Sequence, residues 1–244
     1  MIFFSSKKPF LKDLIPTNFV DIHSHVLFGI DDGAKTIEDS KYLLTEMKNL
    51  GFSKVITTPH TIANVWKNTP ESITQKHTEV IQKLPNETKA LDLKCASEYL
   101  MDDEFLLKVK ENKILPLKDN FVLVEMSYIN PPMQLFDIIF ELQLAGYVPV
   151  LAHPERYVFY HNNLEHYEKL KKAGCYFQVN LLSTVGYYGE PVAKMAQKLL
   201  EKEMIDFVGS DIHHKNHIEA FQKRILFKNT ETLARAFENN AYFG

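Results

Sequence analysis

Residues 21–33 read DIHSHVLFGIDDG, with two histidines and two aspartates on either side of an apolar patch. The first half of this stretch extends an apolar run and predicts a strand over 19–25. Residues at positions i and i+2 of a strand point to the same face, so His23 and His25 can reach one ion. Gly29 and Gly33 bound a loop that can bring Asp32 back over that face. An isolated histidine pair is more often structural than metal-binding, so the rest of the chain must decide.

Short apolar runs alternate with longer amphipathic runs along the whole chain. They predict seven strands, at 19–25, 54–60, 90–100, 121–127, 148–154, 176–182 and 206–212. They also predict helices at 36–50, 70–84, 102–111, 132–145, 163–173, 190–203 and 217–239. Alternation of this kind favours parallel pairing, and runs as apolar as FVLVEM predict a sheet that is covered on both faces.

Side chains that bind metals stand at the C-terminal ends of six predicted strands. They are His25, His60, Glu98, Glu125, His153 and Asp211. An open sheet gathers ligands mainly at one switch point, so convergence from six strands favours the rim of a barrel. We therefore expect an α/β fold, a distorted seven-stranded (β/α) barrel of the TIM type, with a metal site at the C-terminal rim of its strands.

The bulk composition predicts one domain over 1–244, because 244 residues of 45% hydrophobic composition can bury one large core. Residues 1–18 would form an N-terminal extension without the apolar core of a signal peptide, and 217–244 a C-terminal helical segment. No apolar run reaches 18 residues, so no membrane span is expected. The two cysteines, Cys95 and Cys175, form no CxxC pair, which favours a cytoplasmic location. The oligomeric state stays open.

The formal charge of −3 provides no basic field for a nucleic-acid backbone, so nucleic acid is not an expected partner. A phosphatase with a cysteine nucleophile is also disfavoured, because Met101 and Leu181 stand six residues after the cysteines where an arginine would be needed. GxSxG, GxGxxG and Walker motifs are missing from the sequence.

Nine residues make up the predicted ligand set. They are His23, His25, Asp32, His60, Glu98, Glu125, His153, Asp211 and His213. Imidazole and carboxylate suit manganese, iron, zinc or magnesium, and nine ligands can serve two ions, or three if carboxylates bridge. Four carboxylates against three divalent ions leave a charge of about +2, which suits an anionic substrate. Clustered ions can activate water and neutralise a leaving oxygen, so phosphate ester hydrolysis is the expected reaction.

Six motifs together resemble the PHP (polymerase and histidinol phosphatase) superfamily, and within it the metal-dependent bacterial tyrosine-protein phosphatases of capsular and exopolysaccharide loci. The motifs are HSH (23–25), GIDDGA (29–34), TPH (58–60), SEYL (97–100), AHPERY (152–157) and SDIH (210–213). The resemblance covers about residues 19–217. It implies a distorted barrel with three metal ions, usually manganese, and the nine residues above as ligands. It also implies dephosphorylation of tyrosines on a bacterial tyrosine kinase that controls polysaccharide export.

The resemblance further implies that Asp32 is a ligand, whereas Asp31 more plausibly shapes the loop. Arg156 matches a family arginine expected to bind phosphate, in keeping with the bidentate geometry of a guanidinium. His213 or Asp211 is a candidate for protonating the tyrosyl oxygen.

The substrate contacts are less well defined by the sequence. Asn180 ends a predicted strand at the rim and can contact substrate or serve a structural role. The family often has a second arginine seven residues after Asp211, but Ile218 stands there. His214, Lys215 or His217 could replace its charge, or could form a solvated helix start. Tyrosines after strand ends could line an aromatic pocket or pack the loops; they are Tyr99, Tyr128, Tyr157, Tyr187 and Tyr188.

The expected function is therefore that of a metal-dependent protein-tyrosine phosphatase acting on a bacterial tyrosine kinase, with two to three divalent ions and manganese as the leading candidate. Iron, zinc and magnesium remain alternatives. A small-molecule phosphatase of the histidinol-phosphatase type and a non-catalytic regulator that binds the kinase are the two rival functions.

Overall fold

The short apolar runs form parallel strands in the computed structural model, which describes residues 7–244. The first six residues of the predicted N-terminal extension lie outside the described residues. The strands are β1 Phe19–Asp21, β2 Phe52–Thr57, β3 His60–Thr61, β4 Lys94–Cys95, β5 Glu98–Leu100, β6 Phe121–Glu125, β7 Val148–Ala152, β8 Tyr176–Asn180 and β9 Phe207–Gly209. Each of the seven predicted strand regions overlaps at least one of them.

The described strands form two parallel sheets, with the orders β1-β2-β4 and β3-β5-β6-β7-β8-β9. The parallel α/β class is therefore confirmed, but the ladders of residues 7–244 do not form one closed barrel. The predicted strands 54–60 and 90–100 are each divided between the two sheets. At the other edge, Ser24 and Ile212 form a parallel bridge beyond the ends of β1 and β9.

A proline explains the division between the two sheets. Ala96 N donates to Thr57 O at 2.8 Å, and Glu98 N donates to Pro59 O at 3.2 Å. The next ladder bond would need an N–H at position 59, which proline lacks. The strands therefore stay side by side while the regular ladder is interrupted next to His60.

The amphipathic runs form helices that flank the sheets. The helices are α1 Ile37–Asn49, α2 Pro70–Lys83, α3 Pro85–Ala90, α4 Asp103–Lys110, α5 Leu135–Leu144, α6 Glu165–Lys172, α7 Glu190–Glu201, α8 Lys215–Ala220 and α9 Glu231–Asn239. Thr36 and Asp39 form a capping box at the start of α1, as their spacing predicts. Helix α3 is not predicted by the sequence pattern.

The helix predicted over 217–239 is wrong, because α8 and α9 are separate helices. In the segment between them, Ile225 N donates to Pro9 O at 3.1 Å and Leu226 N donates to Thr184 O at 2.8 Å. These N–H groups bond to distant segments instead of the preceding helical turn, so tertiary pairing replaces the helix.

Strand β6 shows how the core surrounds the sheet. Val122 and Val124 are buried in the larger apolar cluster of the protein, whereas Leu123 points the other way, into a smaller cluster with Ile56 and Val150. Both faces of the strand are thus covered, which confirms the prediction from its apolar sequence. Within residues 7–244, no helix is long and apolar enough to cross a membrane.

Candidate metal centre

The loop that follows β1 folds back onto the end of that strand. Ala34 N donates to His25 O at 3.1 Å, and Gly29 N donates to Ala34 O at 2.8 Å. A Cβ atom on Gly33 would lie only 2.1 Å from His25 O, so no side chain fits at this position. The close approach brings Asp32 to the same region as the histidines.

Asp31 holds the imidazole of His25 from the side of the loop. Its Oδ2 atom lies 2.7 Å from His25 Nδ1 and accepts from His60 N at 3.2 Å, while Oδ1 accepts from Gly33 N at 2.9 Å. Burial raises the pKa of Asp31, but the charge of His25 outweighs it and lowers that pKa below its ordinary value. Asp31 therefore lies behind His25, and Asp32 faces the cluster.

All nine predicted ligands come together in four overlapping groups, and in each group one donor atom per residue lies within 4.8 Å of the others. The groups are His25-Asp32-His60-His213, His23-Glu98-His153, His23-His25-Asp211 and His60-Glu98-Glu125. Because four of the residues belong to two groups each, the groups form one contiguous cluster. The residues that form it come from the ends of separate strands and from the loop after β1.

Unpaired donor atoms within the cluster test whether its residues fit metal ions. His25 Nε2, His60 Nδ1 and Glu125 Oε1 are buried without a hydrogen-bond partner among residues 7–244. The last two lie 2.9 Å apart, yet they do not form a hydrogen bond. A buried polar atom without a partner costs about 1–3 kcal/mol, and a cation between such lone pairs would supply the partner. The donor set therefore fits divalent metal ions.

Outer contacts fix which nitrogen faces the cluster in three of its imidazoles. His23 Nδ1 lies 2.7 Å from Gln178 Oε1, and His213 Nδ1 lies 2.9 Å from the carbonyl oxygen of Asp211. With an oxygen acceptor against Nδ1, the ring carries its proton there and presents Nε2 to the cluster, as also for His25. The sequence does not predict Gln178, because no spacing relates it to a histidine 155 residues away.

The carboxylates of the cluster favour positive charge around them. Burial lowers the pKa of His23, but Glu98 and Asp211 outweigh it and raise that pKa to about 10. Burial likewise raises the pKa of Asp211, whereas the charge of His23 holds it well below its ordinary range. The cluster therefore attracts cations, and metal ions would compete there with imidazole protons.

Arg156 stands at the edge of the cluster between two tyrosine rings. Its Nη1 atom lies 2.8 Å from Asp211 Oδ2, and its Cζ atom lies 4.6 Å from the ring centre of Tyr128 and 4.1 Å from that of Tyr188. Asn180 Nδ2 donates to the same Asp211 oxygen at 2.8 Å and to the Tyr188 hydroxyl at 3.1 Å. Asn180 therefore holds these groups from behind, and it does not line the cavity.

A cavity of about 540 Å³ opens over the cluster. Ligand residues and Arg156 lie along it, and apolar and aromatic side chains complete its wall: Ile62, Trp66, Tyr128, Ile129 and Tyr188. The sequence does not predict Ile62 and Trp66, which follow β3. Of the other tyrosines after strand ends, Tyr99 and Tyr157 are buried and do not line this cavity.

The segment after Asp211 contributes histidines to the cavity, whereas Lys215 does not line it. Lys215 is exposed, with its Nζ atom 3.6 Å from Glu219 Oε1. His214 and His217 line the cavity, and Ile218 is buried beside them. Burial lowers the pKa of His217 to about 3, so this residue is neutral and does not replace the charge of an arginine.

The fold and the cluster define a parallel α/β protein with a candidate site for several metal ions at the strand ends. The chain belongs to the family described as capsular polysaccharide synthesis, CpsB/CapC, which matches residues 19–234. The predicted resemblance to the tyrosine phosphatases of capsule loci is thereby confirmed.

Named relatives of the chain are tyrosine-protein phosphatases. YwqE of Bacillus subtilis (strain 168) is 30% identical over 196 residues, which cover 80% of this chain and 77% of YwqE. CpsB of Streptococcus pneumoniae is 30% identical over 201 residues, which cover 80% of this chain and 83% of CpsB. A crystal structure from work on YwqE and CpsB, described as unique metal-dependent tyrosine phosphatases, matches with a TM-score of 0.81 and 27% identity over 92% of this chain and 93% of that chain.

Proposed function

We propose that this chain is a metal-dependent protein-tyrosine phosphatase that removes phosphate from a bacterial tyrosine kinase of capsule or exopolysaccharide synthesis. The observation that carries the proposal is the contiguous cluster of nine imidazole and carboxylate ligands beneath the cavity. The names of the family and of its relatives support the same function. The two free cysteines agree with a cytoplasmic site of action.

We assign the nine cluster residues as the metal ligands, for two to three divalent ions with manganese as the leading candidate. Iron, zinc and magnesium are compatible with the same donors. When bound, the ions supply Lewis-acid chemistry, which polarises the phosphoryl group and lowers the pKa of attacking water. Asp32 belongs to the group that contains His60 and His213, and its Oδ1 atom lies 3.5 Å from an Nε2 atom of each.

Arg156 would bind the phosphoryl oxygens. The rings of Tyr128 and Tyr188 hold the guanidinium plane, and Asp211 engages one of its nitrogens. The remaining donors of this planar fork are then available to an anion. The ring of a phosphotyrosine would lie against the apolar wall that includes Trp66.

Neither His213 nor Asp211 is assigned as the donor of the proton for the leaving tyrosyl oxygen, because His213 presents Nε2 to the cluster and its Nδ1–H donates to the Asp211 carbonyl oxygen. The charge of His23 holds the pKa of Asp211 well below its ordinary range in spite of burial, so this carboxylate has no proton to give near neutral pH. Asp211 is also engaged by Arg156. Its role is to bind a cation and to position the guanidinium.

The two sheets together would act as one distorted (β/α)7 barrel within a single domain. Asp211 N donates to His23 O at 2.7 Å, and His25 N donates to Ile212 O at 2.9 Å. With the bridge between Ser24 and Ile212, these bonds join the first and last strand regions next to the cluster. They support a barrel whose seam is short and lies at the metal centre.

Removal of single ligands tests the proposed function. His25→Ala and Glu98→Ala should lose bound metal, measured by elemental analysis, and turnover of a phosphotyrosyl peptide, because each residue belongs to two ligand groups. His166→Ala is the matched control, since His166 stacks on Tyr160 and takes no part in the cluster. Full activity in metal-free protein would refute the scheme.

The choice of substrate separates the rivals. The proposed function predicts faster turnover of a phosphotyrosyl peptide than of histidinol phosphate by the same metal-loaded protein. The reverse order would identify a small-molecule phosphatase. Kinase binding without any release of phosphate would identify a non-catalytic regulator.

A further inference from the structure

His217 lines the cavity but has no part in the proposed ligand set. It lies on α8 and is only 6% exposed. Its ring packs against that of His214, with 4.0 Å between ring centres, and meets the Tyr187 ring edge-on at 4.9 Å. A buried imidazole that is held on two sides and borders a cavity can present one nitrogen atom in a fixed direction.

The contacts of His217 determine which nitrogen carries its proton. The main-chain N–H of His213 donates to His217 Nδ1, with 3.1 Å between the nitrogens. The Asp211 carbonyl oxygen also lies 3.0 Å from His217 Nδ1, but it already accepts from His213 Nδ1–H at 2.9 Å, whereas the main-chain N–H of His213 can only donate. Nδ1 of His217 therefore accepts and has its lone pair free, so the ring is neutral and its proton is on Nε2. His217 is therefore a donor at Nε2.

The Nε2 atom of His217 has no partner among residues 7–244 but is open to solvent. The hydrogen bonds of His217 within the described part of the chain are made by Nδ1 alone. Nε2 is accessible to solvent, because it does not belong to the inaccessible side-chain atoms that lack a partner. Since the Nδ1 edge faces the backbone of Asp211 and His213, the free Nε2–H edge borders the cavity. An N–H that faces a cavity with Arg156 in its wall suits an anionic ligand.

We propose that the Nε2–H of His217 donates a hydrogen bond to the phosphoryl group of the bound substrate. The proposal rests on the proposed function, since it names a further substrate contact in the same cavity. The imidazole keeps its proton throughout, so His217 binds the phosphoryl group and does not act as a general acid. Arg156 would then provide a charged donor to the anion and His217 a neutral one.

Two amide variants separate this role from a structural one. In His217→Asn the amide oxygen can still accept from His213 N–H, but no donor reaches the position of Nε2. In His217→Gln the longer side chain can carry an N–H donor to that position, while the acceptor for His213 N–H is lost. The two variants therefore exchange the two halves of the imidazole.

The measurements are metal content, the dissociation constant of inorganic phosphate for the metal-loaded protein, and kcat/KM for a phosphotyrosyl peptide. His217→Asn should keep its metal, bind phosphate about 10- to 100-fold more weakly and lose kcat/KM by a similar factor, as for one hydrogen bond to a charged group. His217→Gln should keep most of the phosphate affinity. His77→Asn is the control, because His77 is half-buried, contacts Leu93 O at 3.0 Å and lies outside the cavity.

Phosphate affinity of His217→Asn equal to that of the His77→Asn control would overturn the proposal. Joint loss of metal and phosphate in both His217 variants would also overturn it, because His217 would then act only by supporting His213. Failure of the proposed function gives a different result. The wild-type protein would then release no phosphate from the peptide, while the effect of His217→Asn on phosphate binding would persist.

Discussion

Replacement of Asp31 by asparagine should weaken metal binding although no proposed ligand is removed. The Asp31 carboxylate lies 2.7 Å from His25 Nδ1 and accepts from Gly33 N at 2.9 Å and from His60 N at 3.2 Å. An asparagine offers one acceptor oxygen and one NH₂ group in place of two oxygens. Whichever way the amide turns, its NH₂ group faces at least one N–H donor of the protein.

The magnitude follows from what His25 loses. Each hydrogen bond to a charged group contributes about 1.5–3 kcal/mol, but only the part that orients the imidazole reaches the metal. Loss of an outer partner of this kind lowers metal affinity about 10- to 100-fold, or about 1.4–2.8 kcal/mol. Asp32→Asn should have the larger effect, because Asp32 itself belongs to a ligand group.

The assay compares metal retention after dialysis against increasing concentrations of a chelator, with elemental analysis as the readout and circular dichroism to check folding. Asp137→Asn is the control, since Asp137 is an exposed carboxylate at the start of α5. Metal retention by Asp31→Asn equal to that of this control would refute the reasoning. A greater loss of metal from Asp31→Asn than from Asp32→Asn would indicate that Asp31 is the ligand and that Asp32 supports the loop.

Two further substitutions probe the loop and the phosphate contact. Gly33→Ala should lower the free energy of unfolding by about 1–3 kcal/mol and reduce metal content, because its Cβ would lie 2.1 Å from a main-chain oxygen. Gly146→Ala should also lower the free energy of unfolding, because Gly146 has a φ of 87°, but it should keep its metal, since its Cβ would meet no atom of residues 7–244 within 4 Å. Equal loss of metal from the two variants in elemental analysis would contradict this reasoning. Arg156→Lys should reduce kcat/KM for a phosphotyrosyl peptide about 10- to 100-fold, since the planar fork is lost. An equal effect of Arg235→Lys, at an exposed ion pair with Glu203, would argue against this role.

The positions of the candidate ligands could be predicted because each one interrupts an apolar pattern. An imidazole or carboxylate at the end of a predicted apolar strand, such as His60 or Glu125, has few structural reasons to be there. Gln178 could not be found in this way, since a polar residue inside a strand has no distinguishing pattern until its neighbour is known. The sequence also could not show that Lys215 and Asn180 do not line the cavity, because their positions depend on the turn that follows each strand.

The fold was predictable where local pattern and tertiary packing agree. Strand β6 is apolar up to Glu125 and is buried on both faces, as its sequence predicts. The segment between α8 and α9 was not predictable, because its N–H groups bond to Pro9 and Thr184, far away in the sequence. The apolar residues of 217–239 recur with a helical period, but long-range hydrogen bonds determine the conformation of the segment between the two helices.

Several departures from regular structure lie in or next to the cluster, and the sequence pattern does not show them. The ladder is interrupted at Pro59, directly before His60. His153 and Asp211 have φ values of 36° and 51°, a left-handed conformation that non-glycine residues adopt at a cost of about 1–3 kcal/mol. Such strain persists when neighbouring contacts enforce it, and here it turns side chains from different strands toward one point. The regular ladders position the strand ends, and these irregular residues bring the donor atoms together.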